Sequence, residues 1–222
     1  MATHLRDTSA ADAADICDAV AAGLDASETA RTLAIAWTAL VLRGDDIATE
    51  GRQHRRATGR ARAREKVADV NWDRNNSAFS RFALDASNGK RDTAPYVTFY
   101  ADVAPSTINA YGVDREVEVG RGILGILASD AGAAHREAWS PRWSANTEAL
   151  AAAARTKKDA VLTQATFSAN ETLYIDEINR ELDRLEGELL RLFPGDRDSV
   201  DAFLAPTRPT PKRNRNDDAV ER

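Results

Sequence analysis

The chain has 222 residues, of which 43% are hydrophobic and 29% charged, with a net charge of -5. That balance excludes a wholly disordered polypeptide, and the negative sign excludes a protein that binds nucleic acid over its whole surface. A single cysteine, Cys17, excludes an internal disulfide and fits a reducing cytoplasm, where we expect the protein to reside.

The polar, acidic start "MATHLRDTSAADAADIC" lacks the apolar core of a signal peptide. Thr8 or Ser9 can cap a first helix over 9–24, with Ala13, Ile16, Cys17, Val20 and Leu24 on one stripe. Cys17 on that stripe reads as a small core residue. Ser27 can cap the next helix. Its apolar run, Leu33–Leu42, is about half of what a bilayer crossing needs, so no membrane span is predicted.

From 28 to 88 one long helix is predicted. Steps of four and three from Leu33 give a seam through Trp37, Leu40, Gly44, Ile47, Gly51, His54, Thr58, Ala61, Glu65, Ala68, Trp72, Asn75, Phe79 and Phe82. The ends of this seam are large and apolar and its middle is small or polar. Gly89 reads as the stop. On the same helix stand Arg52, Arg55, Arg56, Arg60, Arg62, Arg64 and Lys66, with Glu65 the only acid among them. At 100° per residue all seven fall outside the seam. They therefore form either a solvated back or a binding face for an acidic partner, protein before nucleic acid, since no aromatic residues interleave.

Shorter helices are predicted over 93–139. Pro95 sits in a first turn after Asp92, and Ser106 can cap a helix carrying Ile108, Tyr111, Val119, Ile123, Ile126 and Leu127. Within it, Gly120, Gly122 and Gly125 satisfy the G-x-G-x-x-G pattern of a dinucleotide site. That pattern needs a buried strand before it and a second parallel strand after it. "REVEV" is a poor buried strand, and "AGAAHREAWSPRWS" offers no second one, so these glycines are expected in a helix, placed there for packing. "SPRWS", Ser140–Ser144, reads as a turn.

A last long helix is predicted over 145–193, with a seam read back from Leu192 through Leu189, Leu185, Leu182, Ile178, Ile175, Glu171, Ser168, Gln164, Val161, Lys157, Ala154 and Leu150. Pro194 and Gly195 end it, and Asp198–Leu204 makes a short amphipathic piece. Glu171, Asp176, Glu177, Glu181, Asp183, Glu186 and Glu188 make its second half acidic. If the two long helices pair antiparallel, that stretch falls near 38–50, leaving the basic stretch free to meet acids of another subunit. Residues 206–222 read as a flexible basic, proline-containing tail.

No catalytic, cofactor or metal set emerges. Di-iron bundles need Glu-x-x-His on two helices, but His54 follows Glu50 by four positions and His135 follows "AGAA". There is no G-x-S-x-G, and "ATGRARAREK" lacks the ending of a phosphate loop. The expected architecture is all-α: one domain over 1–205, an elongated antiparallel hairpin of two long coiled-coil-like helices, with the shorter helices forming a small bundle at one end. The lean middles of both seams call for a partner. The expected function is therefore a non-catalytic structural or adaptor subunit that self-associates or packs with other proteins, as in a filament, a virion or a secretion complex. The alternatives are a nucleic-acid accessory protein using 52–66 and an enzyme whose site is not visible as a motif.

Overall fold

The computed structural model describes residues 3–6, 8–101 and 103–208. It is all-α, with no strand among the described residues. The helices are α1 (Ala10–Asp25), α2 (Ala34–Ala86), α3 (Tyr96–Tyr100), α4 (Pro105–Ile108), α5 (Val113–Ala128), α6 (Ala133–Leu192) and α7 (Arg197–Leu204). Short 3-10 turns stand at Arg31–Leu33, Asp130–Gly132 and Ala205–Thr207. No described helix is long and apolar enough to cross a membrane. The proposed tail overlaps this order: Thr207 is buried and donates to the Leu204 carbonyl at 2.8 Å, while 209–222 lie outside the described residues.

The chain divides into two compact units, one made by residues up to Gln53 and from Ala165 onward, the other by His54–Gln164. The expected single bundle of 9–24 with 93–139 is thus replaced by two groupings: α1 and α7 belong to the first unit, and α3 to α5 to the second. The reason is visible in the partners each short helix finds.

In the first unit, Ser9 caps α1 by accepting the Asp12 N–H at 3.2 Å, and Glu171 accepts the Ala10 N–H at 3.0 Å. The buried stripe Ala13, Cys17, Val20 and Leu24 packs with Trp37, Leu40, Tyr174, Ile178, Leu182, Leu185 and Leu189. Val200 and Leu204 of α7 complete that core. Asn179 exchanges two hydrogen bonds with the backbone of Leu5, fastening the start of the chain to α6. Arg43 pairs with Glu177, the antiparallel register expected from the acidic stretch. Burial pushes the Cys17 thiol up to about 11, so it stays a protonated core group.

The lean seam is tighter here than its composition suggests. A Cβ on Gly44 would lie 2.2 Å from the Tyr174 hydroxyl oxygen and 2.7 Å from Ala14 Cβ. Tyr174 fills the space and donates to the Leu40 carbonyl at 2.9 Å. Gly44 therefore serves close packing within the chain, and the small residues of this stretch do not themselves demand a partner.

In the second unit the core is aromatic. Trp72, Phe79, Tyr96, Phe99, Tyr100, Trp139 and Trp143 are buried with Ile108, Val117, Ile123, Leu127 and Leu150. Phe79 makes edge contacts with Phe99 at 4.7 Å, Trp139 at 5.0 Å and Trp143 at 5.6 Å. Asn76, fully buried, donates to the Pro105 carbonyl at 3.3 Å and accepts the Tyr100 hydroxyl at 2.9 Å. Arg136 closes the end of α5 by donating to the carbonyls of Leu127 at 2.8 Å and Ala128 at 2.7 Å.

Two expectations are corrected in α6. Ser140–Ser144 is not a turn: the helix runs through Pro141. An internal proline costs about 3 kcal/mol, because it removes the bond to the fourth carbonyl back and crowds it. Trp139 and Trp143, one turn apart and both buried, offset that loss. The second correction concerns the seam. Tyr174 and Phe167 are buried, whereas Ser168 and Val161 are exposed. Tyr174 and Phe167 take the inward places expected for Ile175 and Ser168, a one-residue offset in the middle of the helix, and the expected seam is met again at the fully buried Leu150. Along α2 the expected seam holds: Trp37, Leu40, Gly44, Gly51, Thr58, Ala61, Trp72, Asn75 and Phe79 are all buried.

Candidate functional site

The basic stretch is a continuous helical face. Arg52, Arg55, Arg56, Arg60, Arg62, Arg64 and Lys66 are all exposed, while Thr58 and Ala61, on the opposite side, are buried. Thr58 donates to the Ala160 carbonyl at 3.2 Å, and Glu65 on the same inner side takes Lys157 at 2.7 Å. The one acid in the stretch is thereby used inward. Among the described residues, Arg55, Arg56, Arg60, Arg62 and Arg64 have no carboxylate within ion-pair distance. Gly59, between them, has open space where a Cβ would stand. Lys66 differs: it holds Asp69 at 2.6 Å, which pushes its ammonium pKa up.

The acidic stretch of α6 does not remain free to answer these arginines. Glu171 caps α1, Glu177 takes Arg43, Glu181 takes Arg184 at 3.1 Å, Asp183 meets His4 at 2.8 Å, and Glu188 takes Arg191 at 2.6 Å.

Of the three patterned glycines, only Gly120 has the expected packing reason. A Cβ there would lie 2.3 Å from Thr147 Oγ1 and 3.1 Å from Trp72 Nε1. Gly122 and Gly125 face open space. All three lie in α5, with no strand before them among the described residues, so they do not form a dinucleotide cradle.

One turn before Gly120 on the same helix, Glu116 is buried at 1% exposure. Its carboxylate lies with those of Asp69 and Asp73, one ligand oxygen from each falling within 4.8 Å of the others. Asp69 and Asp73 stand one turn apart on α2, and Glu116 comes from the first turn of α5. No protein donor reaches either Glu116 oxygen or Asp73 Oδ1. Burial first, and then the neighbouring carboxylates of Asp69 and Asp73, push the Glu116 carboxyl up to about 8. Asp73 is raised too, by burial first and by Asp69 second. Trp72 Nε1, Trp143 Nε1 and Thr147 Oγ1 are further buried polar atoms without a protein partner.

This trio escapes sequence reasoning. Asp69 and Asp73 pass for solvated helix charge, and Glu116 for the polar half of an alternating "REVEV". The available signal is the pair of like charges at i, i+4 beside the seam residue Trp72, an arrangement that weakens an isolated helix.

Two depressions flank these elements. An open groove of about 1160 Å³ runs along the start of α5 and the 151–161 part of α6, with Arg115, Arg121, Arg155 and Lys158 on its walls. Arg115 stacks on Tyr111 at 3.9 Å from the ring centre. A smaller hollow of about 370 Å³ is lined by Val70, Asp73, Arg74, Ser77, Ala78 and Arg81.

Comparison with known proteins gives no match: no family model, no curated protein and no solved structure aligns with the chain. The class that the fold and these surfaces define is an all-helical protein with an exposed arginine face and a half-buried carboxylate cluster.

Proposed function

We propose that the chain is a non-catalytic helical adaptor that docks its arginine face onto an acidic surface of another protein in a larger assembly. The observation that carries this reading is the run Arg55, Arg56, Arg60, Arg62 and Arg64: exposed, on one helix, and without a carboxylate partner among the described residues. Five unbalanced guanidinium groups within three turns create a local positive potential on a chain of net charge -5. Arginine also suits carboxylate partners, because its planar fork binds them in a bidentate manner. The chain's own acidic stretch is largely engaged internally, so a different chain fits better than a second copy of this one.

A nucleic-acid partner is the second reading, favoured by the same spacing of guanidinium groups along a rod. It is weakened by the absence of an aromatic residue on the face. Fluorescence anisotropy separates the two, using labelled poly-glutamate and labelled duplex DNA at low and high salt. We expect poly-glutamate to bind with steep salt dependence. The Arg55→Glu, Arg56→Glu, Arg60→Glu variant should lose that binding while keeping its circular dichroism. Tighter binding of DNA than of poly-glutamate would move the reading to nucleic acid. Binding of neither would end both.

A further inference from the structure

We propose that Asp69, Asp73 and Glu116 form a site for one divalent cation of the hard, oxygen-seeking kind, such as Mg²⁺, Mn²⁺ or Ca²⁺. The geometry comes first. Cation–oxygen bonds of about 2.0–2.6 Å place ligand oxygens at most roughly 4–5 Å apart across the ion. The three carboxylates present oxygens within 4.8 Å of one another. An acidic cluster alone would say little, since exposed carboxylates gather often. Here Glu116 is 1% exposed, is aimed at both aspartates, and has no protein donor on either oxygen. A buried carboxylate without donors is costly, and such groups are ordinarily paired or bound to metal.

Charge balance points the same way. Three carboxylates face one cation, Lys66, which reaches only Asp69 and whose side chain is 74% exposed. Two negative charges remain, and one divalent ion cancels them. The donor set is all carboxylate oxygen, with no imidazole or thiolate, which suits Mg²⁺, Mn²⁺ or Ca²⁺ rather than Zn²⁺ or Cu²⁺. Asp73 also lines the hollow with Arg74, Ser77 and Arg81, so the cluster is reachable from the surface. The ion would tie the first turn of α5 to the middle of α2. The site follows the arginine run along α2, with Lys66 between them, and its test reads metal affinity, which does not depend on the adaptor reading.

The rival account is a proton shared between Glu116 and Asp69, with no ion. Manganese titration of the full chain, freed of metal by chelation and followed by the electron paramagnetic resonance signal of free Mn²⁺, distinguishes them. The expected result is one Mn²⁺ per chain, at least a tenfold loss of affinity in Glu116→Gln and in Asp73→Asn, and unchanged affinity in Asp114→Asn, an exposed acid in the same turn. Both Gln and Asn lighten the buried charge, so these variants should fold, and circular dichroism verifies it. A folded wild type that leaves Mn²⁺ free at millimolar concentration would overturn the proposal in favour of the shared proton. So would binding that Asp114→Asn weakens as much as Glu116→Gln does.

Discussion

Residues 174–189 of α6 and residues 69–76 of α2 each face the core of their own unit, and they bury very different groups. The first set presents Tyr174, Ile178, Leu182, Leu185 and Leu189, an aliphatic stripe with one phenol. The second presents Trp72 beside Asp69, Asp73, Asn75 and Asn76. Packing alone explains the aliphatic stripe. It does not explain ionisable groups placed beside a tryptophan core, where they subtract from stability unless something else compensates. The groups that packing leaves unexplained are therefore those of the 54–164 unit.

The contrast can be broken first at its largest side chains. Trp143→Ala should cost about 4 kcal/mol and Leu182→Ala about 3 kcal/mol, each read from urea unfolding. Trp143 is the contact of both Trp72 and Phe79, so its loss should also collapse the near-ultraviolet dichroism. Next in size is a pH effect confined to the 54–164 unit. In metal-free buffer the folded chain keeps the Glu116 proton up to about pH 8, whereas the unfolded chain releases it near 4.5. The folded state then holds more protons across that window. Stability should fall as pH rises from about 5 to 8, by on the order of 3 kcal/mol, and Glu116→Gln should flatten the slope. Excess Mn²⁺ should flatten it too if the carboxylates bind the ion.

Crowding comes third. Gly44→Ala forces a methyl into Tyr174 and Ala14 and should cost about 2 kcal/mol, measured by thermal unfolding. The smallest effect has the opposite sign. Gly122→Ala and Gly125→Ala meet open space in the middle of a helix, and each should stabilise the chain by up to about 1 kcal/mol.

Those glycines also show how far the residues alone lead. The α2 seam, the exposure of the seven basic residues and the helical context of Gly120 are legible because each depends on the period of one helix. Tyr174 is not on the expected seam: Leu173, Tyr174 and Ile175 are three apolar residues in a row, and their order alone does not say which of them turns inward. Pro141 misleads because its local penalty is outweighed by the burial of the two tryptophans that flank it, Trp139 and Trp143. The carboxylate trio lies furthest from view: Glu116 joins Asp69 and Asp73 only after α5 folds back onto α2, and no spacing along the chain encodes that approach. The division of the short helices between two cores is hidden for the same reason, since it depends on which long-helix half offers a complementary surface.

Three of the four tryptophans, Trp72, Trp139 and Trp143, sit in one aromatic core, and only Trp37 belongs to the other. Ultraviolet-excited emission therefore watches one half of the molecule, while helical dichroism counts turns in both. If the halves melt at different temperatures, the two signals will trace separate curves. A lifetime component from Trp37 would then serve as the quiet witness for the leucine-rich side.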